Sequence, residues 1–150
     1  MARAPHVPVL QRTQTIDQPP GKVFHAIVTL EEFPAWNPTV KRAEKLSAGA
    51  PREGSRYAFW VRGFGRTEQT LEEFRTNERV RIVPHSPKFS GGHRFTLRAS
   101  GQSTIVDHEL ELRPRGWMKL MTPMLGPLMR KNLADTANAL KRHLEGSRTA

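Results

Sequence analysis

His93 and His108 are the residues of this chain best placed to do chemistry. Each falls on the dry side of an alternating run. From Phe89 to Ala99 the odd positions Phe89, Phe95 and Leu97 are apolar, while Arg94, Thr96 and Arg98 are polar. From Thr104 to Leu112 the even positions Val106, Leu110 and Leu112 are apolar, while Asp107, Glu109 and Glu111 are acidic. One face is dry and one is wet, as in an antiparallel sheet packed on one side. A short turn at Ser100-Gly101 joins the runs, so residues whose numbers sum to about 201 should face one another across the ladder. That places His93 directly opposite His108. Two imidazoles entering one cavity could exchange hydrogen bonds with a ligand carbonyl or hydroxyl, or shuttle a proton. They could equally form a hydrogen-bonded core pair without a reaction. They make a poor zinc set, because Asp107 and Glu109 point to the other face and no third imidazole is at hand. No metal and no cofactor is expected.

The same dry surfaces supply a candidate cavity lining. Phe95, Val106 and Leu110 accompany the histidines; Tyr57, Phe59 and Leu71 come from earlier strands, with Trp60 on the opposite face from Tyr57, Phe59 and Val61. Met121, Met124, Leu125 and Leu128 come from a helical C-terminal segment. The methionines at 118, 121, 124 and 129 cluster there, and methionine adapts to irregular apolar ligands. They read as a gate over a pocket mouth or as filler; with Lys119, Arg130 and Lys131 beside them, the segment could also touch an anionic membrane. Trp36, between two prolines, reads as a packing anchor. Other short motifs fail on context. Gly63-Phe64-Gly65 has no following helix to cradle phosphate, Gly101-Gln102-Ser103-Thr104-Ile105 lacks the last glycine of a nucleophile elbow, and Pro38 excludes glycosylation at Asn37.

The elements that must position these residues follow from periodicity. Val9–Asp17 reads as a strand. Pro19-Pro20-Gly21 opens a short helix in which Val23, Phe24, Ile27 and Val28 share a stripe. A second short helical piece, Glu31–Asn37, stops before Pro38. Strands are predicted at 39–46, 55–62, 65–75, 79–84, 88–99 and 102–112, separated by glycine, proline and polar turns, hence an antiparallel meander. After Pro114 apolar residues recur at helical spacing from Trp117 to Leu144. Pro123 and Gly126-Pro127 predict a kink or break near 122–127, with a regular helix from Pro127 to Glu145. The fold class is α+β: a seven-stranded curved sheet, two short helices after the first strand, and a long helix across the concave face.

Composition sets the limits. The 150 residues suit a single domain spanning 1–150, with 1–7 and 147–150 expected to be flexible ends. There are no cysteines, which removes disulfides, thiolate metal sites and cysteine nucleophiles. No secretory leader and no run of ~20 apolar residues is present, so a cytoplasmic protein is expected. The formal charge is +10 and the pI about 11. The cations are scattered, with glutamates among them at 68, 72, 73, 109 and 111. A basic surface is thus favoured over a nucleic-acid site.

Ile16-Asp17-Gln18-Pro19-Pro20-Gly21-Lys22-Val23-Phe24, then Phe33-Pro34-Ala35-Trp36-Asn37-Pro38, resembles the opening of the SRPBCC superfamily: START-like lipid-transfer domains, birch-pollen-allergen-like proteins and polyketide cyclase/dehydrase relatives. Gly54, Arg56, Tyr57, Asn77-Glu78-Arg79-Val80 and the closing Asn132-Leu133 and Leu140–Glu145 continue it in order. The resemblance implies a helix-grip fold with a ligand cavity between sheet and last helix, and carries no common catalytic motif. Three functions are weighed. The first is a binder of an apolar lipid, polyketide-like or other aromatic or acyl molecule. The second is a cyclase or dehydratase using His93 and His108. The third is a protein or nucleic-acid module with a basic surface. A homodimer is compatible with all three. A cavity below about 300 Å³ would count heavily against the first.

Overall fold

The computed structural model describes residues 9–146; the predicted flexible ends lie outside the described residues. Seven antiparallel strands form one sheet in the order β1-β7-β6-β5-β4-β3-β2. They are β1 (Leu10–Ile16), β2 (Val40–Lys45), β3 (Arg56–Val61), β4 (Gly65–Arg75), β5 (Arg79–His85), β6 (Phe89–Ser100) and β7 (Ser103–Pro114). Between β1 and β2 come helix α1 (Pro20–Val28) and a 3-10 segment, Leu30–Ala35. After β7 a second 3-10 segment, Gly116–Met121, leads into helix α2 (Thr122–Gly146). The helix-grip expectation holds.

α1 begins on Pro20, whose missing N–H costs nothing in a first turn. It buries Val23, Phe24, Ala26, Ile27 and Val28, and Thr29 ends it with its hydroxyl on the His25 carbonyl. Leu30 and Phe33 extend that buried stripe through the 3-10 segment. Asn37 then closes the turn, its Oδ1 accepting from the Thr39 N–H and hydroxyl at 3.0 and 2.7 Å.

The last helix differs from expectation. It is continuous from Thr122, and Pro127 lies inside it. Pro123 sits in the first turn, where its N–H would have no partner, and Pro127 gives up a single ladder bond one turn later. The irregular stretch is the 3-10 segment before it. The C-terminal half of α2 is fixed to β1 and the turn that follows it. Gln14 Nε2 donates to the Ala137 carbonyl at 2.9 Å, and Gln18 Nε2 to the Leu144 carbonyl at 3.0 Å.

The buried residues form two clusters. The larger joins α1 and the inner faces of β3 to β7 to Leu140 and Leu144 of α2. The smaller joins Leu110 of β7 to Leu125, Met129 and Leu133 of α2, with Leu10 and Leu112 against them. On the outer face charges pair instead. Arg94 bridges Glu73 and Glu109 at 2.9 and 3.0 Å, and Arg56 meets Glu68 at 2.7 Å. Trp60 also lies there, under the guanidinium of Arg42 at 4.5 Å, and Tyr57 and Phe59 take the buried side of β3, a choice the sequence pattern left open. No helix among the described residues is long and apolar enough to cross a membrane.

Candidate functional site

Between the two clusters lies a cavity of about 170 Å³. Phe33, Phe59 and Phe95 wall one side of it, Leu110, Leu112 and Met129 the other. Phe64 and Phe89 meet edge-on at 5.7 Å, joining the β3–β4 turn to the start of β6. Leu128, half exposed, borders the opening. The wall is thus mostly apolar, with polar groups in two places. Thr67 and Gln69 are buried on β4, where the Gln69 amide donates to the Thr67 hydroxyl at 3.0 Å. His93 faces them from β6, and Asn132 and Thr136 look down from α2.

The histidines meet, but not as neighbours on the ladder. The β6–β7 register pairs His93 with Leu110 and Phe95 with His108, because Gly101 and Gln102 form the turn between Ser100 and Ser103. The predicted register is therefore two residues off. A slip of two preserves sidedness, so both rings stay on the concave face. They approach diagonally: His93 Nδ1 lies 2.8 Å from His108 Nε2. Phe95 stacks on the His108 ring at 4.1 Å and 22°. His108 is fully buried beneath this stack, whereas His93 is half-buried and presents part of its ring to the cavity.

Burial disfavours the imidazolium and pushes His93 down to about 4. His108 is driven well below the usual histidine range by burial, and further by the neighbouring His93. Both rings are neutral at neutral pH. One N–H lies between them, and the His93 Nε2 is left to donate to or accept from a molecule in the cavity, according to tautomer.

Of the residues the sequence nominates, Phe59, His93, Phe95, Leu110 and Leu128 line this cavity. Tyr57, Leu71 and Val106 lie on the concave face but are fully buried in the main cluster; they fill core and do not reach the void. Tyr57 points its hydroxyl toward the Val28 carbonyl at 3.5 Å, and burial, aided by Glu31, pushes it up to about 12. His108 stands behind His93. Leu125 packs into the smaller cluster, and Met124 is turned outward, 65% exposed. Met121 is partly buried before α2 and does not line the void. Trp36 packs tilted on Phe33 at 4.6 Å and stacks on His143 at 6.1 Å.

Sequence reasoning missed the polar pair Thr67 and Gln69, which alternation alone marks as inward-facing, and the glycine pair in β6. Gly91 and Gly92 have φ of 123° and 141°. A Cβ on Gly92 would stand 2.3 Å from the Ile82 carbonyl oxygen, and one on Gly91 2.1 Å from that of Glu111. Ladder pairing of β5 with β6 runs only as far as Ile82 and His93. The glycines bend β6 where the cavity needs room, and adjacent glycines inside a strand signal such a close approach. Among the described residues no three metal-binding side chains converge.

The family described as polyketide cyclase / dehydrase and lipid transport matches residues 8–145. Solved structures share the fold. A protein of Thermus thermophilus superposes with a TM-score of 0.77 at 17% identity, covering 93% of this chain and 99% of that one. A START superfamily protein from Mycobacterium smegmatis gives 0.70 at 19% identity over 92% and 97%. The Zhui aromatase/cyclase from Streptomyces gives 0.70 at 14% identity over 93% and 94%. No curated protein sequence matches the chain.

Proposed function

Because the chain belongs to the polyketide cyclase / dehydrase and lipid transport family, we propose that it binds a small apolar molecule with one aromatic ring seated in the cavity and a hydroxyl or carbonyl at His93. The observation that carries this reading is the composition of the wall: aromatic and aliphatic side chains around His93, whose Nδ1 is engaged by His108, with Thr67 and Gln69 as further polar groups of the lining. The volume narrows the ligand. At about 170 Å³ the cavity falls below the ~300 Å³ set above, which counts heavily against the expected lipid, polyketide-like or other drug-sized ligand and leaves room only for a molecule of about one ring. It is comparable with an apolar cavity of ~150 Å³ that takes benzene. A whole acyl chain or fused polyketide does not fit, so anything larger must extend past Leu128.

Titration with phenol and 2-naphthol, followed through backbone amide NMR shifts, tests the reading. Saturable shifts at His93, Phe95 and Leu110 are expected, weakened about tenfold in His93→Leu by loss of the hydrogen bond. Absence of saturable shifts at these amides up to millimolar ligand overturns it.

A second reading, a cyclase or dehydratase with His93 and His108 as acid and base, is favoured by the contact between the two rings at the cavity wall. A base whose conjugate acid sits near 4 is weak at neutral pH, and this ranks the reading second. Full turnover of a polyketide-type substrate by both His93→Ala and His108→Ala would end it. A polyanion track is less supported still. The outer-face arginines Arg56, Arg81, Arg94 and Arg98 all pair with acids.

A further inference from the structure

Four large apolar side chains stand in water on one stretch of the surface. Trp117 is 65% exposed, Leu120 83%, Met124 65% and Leu128 51%. Their spacing of three, four and four residues puts them on one side of the 3-10 segment and the first turns of α2. Met118, Leu125 and Met129 point inward from the other side. An exposed stripe of this size marks a contact surface.

Charge identifies what it contacts. From Arg113 to Asn132 the chain carries Arg113, Arg115, Lys119, Arg130 and Lys131, all exposed, and no acid. Lys88 joins them, since its carbonyl accepts the Arg115 N–H at 2.7 Å. The flanking acids are engaged: Glu111 with Arg81 and Arg113, Asp135 with Lys131. Arg115, Lys119 and Arg130 carry no ion pair among the described residues. Two copies meeting about a twofold axis would bring like charges together, which weighs against a second copy as the cover.

We propose that this surface docks on an anionic lipid bilayer, with Trp117, Leu120, Met124 and Leu128 entering the headgroup–acyl boundary and the surrounding cations facing lipid phosphates. The pattern is that of an interfacial helix: an apolar stripe with an aromatic at one end and lysines and arginines beside it. The proposal goes beyond the cavity reading and does not depend on it. Leu128 belongs to both the stripe and the cavity rim, so docking would place the mouth at the membrane.

Co-sedimentation of the full chain with vesicles tests it. Vesicles of phosphatidylcholine with about a third phosphatidylglycerol should retain the protein, and pure phosphatidylcholine should retain at least about tenfold less. Raising salt from about 0.1 to about 0.5 M should weaken the association. The double variant Arg115→Gln/Lys119→Gln should lose about tenfold or more in affinity, and Trp117→Ser/Leu120→Ser a similar amount, with thermal midpoints unchanged because these side chains are exposed. Brominated lipid should quench Trp117 fluorescence, and Trp117→Phe should abolish that quenching while binding persists. Equal retention by neutral and anionic vesicles, no retention by either, or a dimer in sedimentation velocity that Trp117→Ser/Leu120→Ser dissolves would each overturn the proposal.

Discussion

His93 and His108 touch through Nδ1 and Nε2 across a diagonal of the β6–β7 ladder, while Phe95, the direct partner of His108, covers that ring's face. The contact leaves one imidazole sealed and the other bordering the void. It commits both rings to the uncharged state.

That commitment sets a pH dependence. In the unfolded chain both histidines titrate near 6.5, whereas in the folded chain His93 does so near 4 and His108 well below 6.5. Between those values the unfolded state binds more protons, so stability is full above about 6.5 and falls as pH drops toward 4. Urea unfolding at pH 7.5 and 5.0 should show a loss of roughly 1–3 kcal/mol. The double variant His93→Phe/His108→Phe should flatten the slope in this window. A wild-type profile already flat between pH 7 and 5 contradicts the burial described.

The glycine pair should be intolerant. Gly92→Ala puts a methyl 2.3 Å from the Ile82 carbonyl oxygen at a φ of 141°, and backbone, which cannot rotate aside, is what it meets. A loss of about 3 kcal/mol or more is expected from strain and collision together. Thermal unfolding of Gly92→Ala beside Gly54→Ala, which sits at a φ of 85° with open space around it, shows how much of the loss comes from the collision with backbone.

Leu140 and Leu128 provide a contrast along α2. Leu140 is 1% exposed in the main cluster, and Leu140→Ala should cost about 2–5 kcal/mol. Leu128 borders the opening, so Leu128→Ala should cost under about 1 kcal/mol and widen the mouth. Denaturant midpoints measure both; equal costs would mean that the helix seam is uniformly packed.

On the wet face, Arg94→Met should cost only about 1 kcal/mol, although Arg94 bridges Glu73 and Glu109, because all three side chains are about one-third exposed. The cost should shrink as salt is raised. A loss several times larger would show that this bridge sets the curvature of the sheet.

Much of this is legible in the residues. Alternation in Phe89–Ala99 and Thr104–Leu112 marks the faces of β6 and β7, and Pro20 and Pro38 bound the short helices. The register is not legible to the residue, because Ser100, Gly101, Gln102 and Ser103 all suit a turn and only the backbone shows which two occupy its centre. Sidedness fails in the last segment for a different reason. From Trp117 to Met129 apolar residues occupy both faces, so a three- and four-residue period fits an inward and an outward stripe equally well, and Met124 belongs to the outward one. The cavity volume has no sequence signal at all. It depends on how far α2 sinks between Leu140 and Leu110, which many packings of the same side chains would satisfy.

The clasp between the first strand and the last helix has a bearing on how the chain comes off the ribosome. Among the described residues β1 pairs only with β7, and Gln18 reaches Leu144 over a separation of 126 residues. The meander from β2 to β7 can zip locally, hairpin by hairpin, but its concave side stays uncovered until α2 emerges. Such distant closures slow folding, so the nascent chain waits with an oily surface showing until that helix is made. A stop codon anywhere within α2 would leave that surface bare and the shortened product prone to clump.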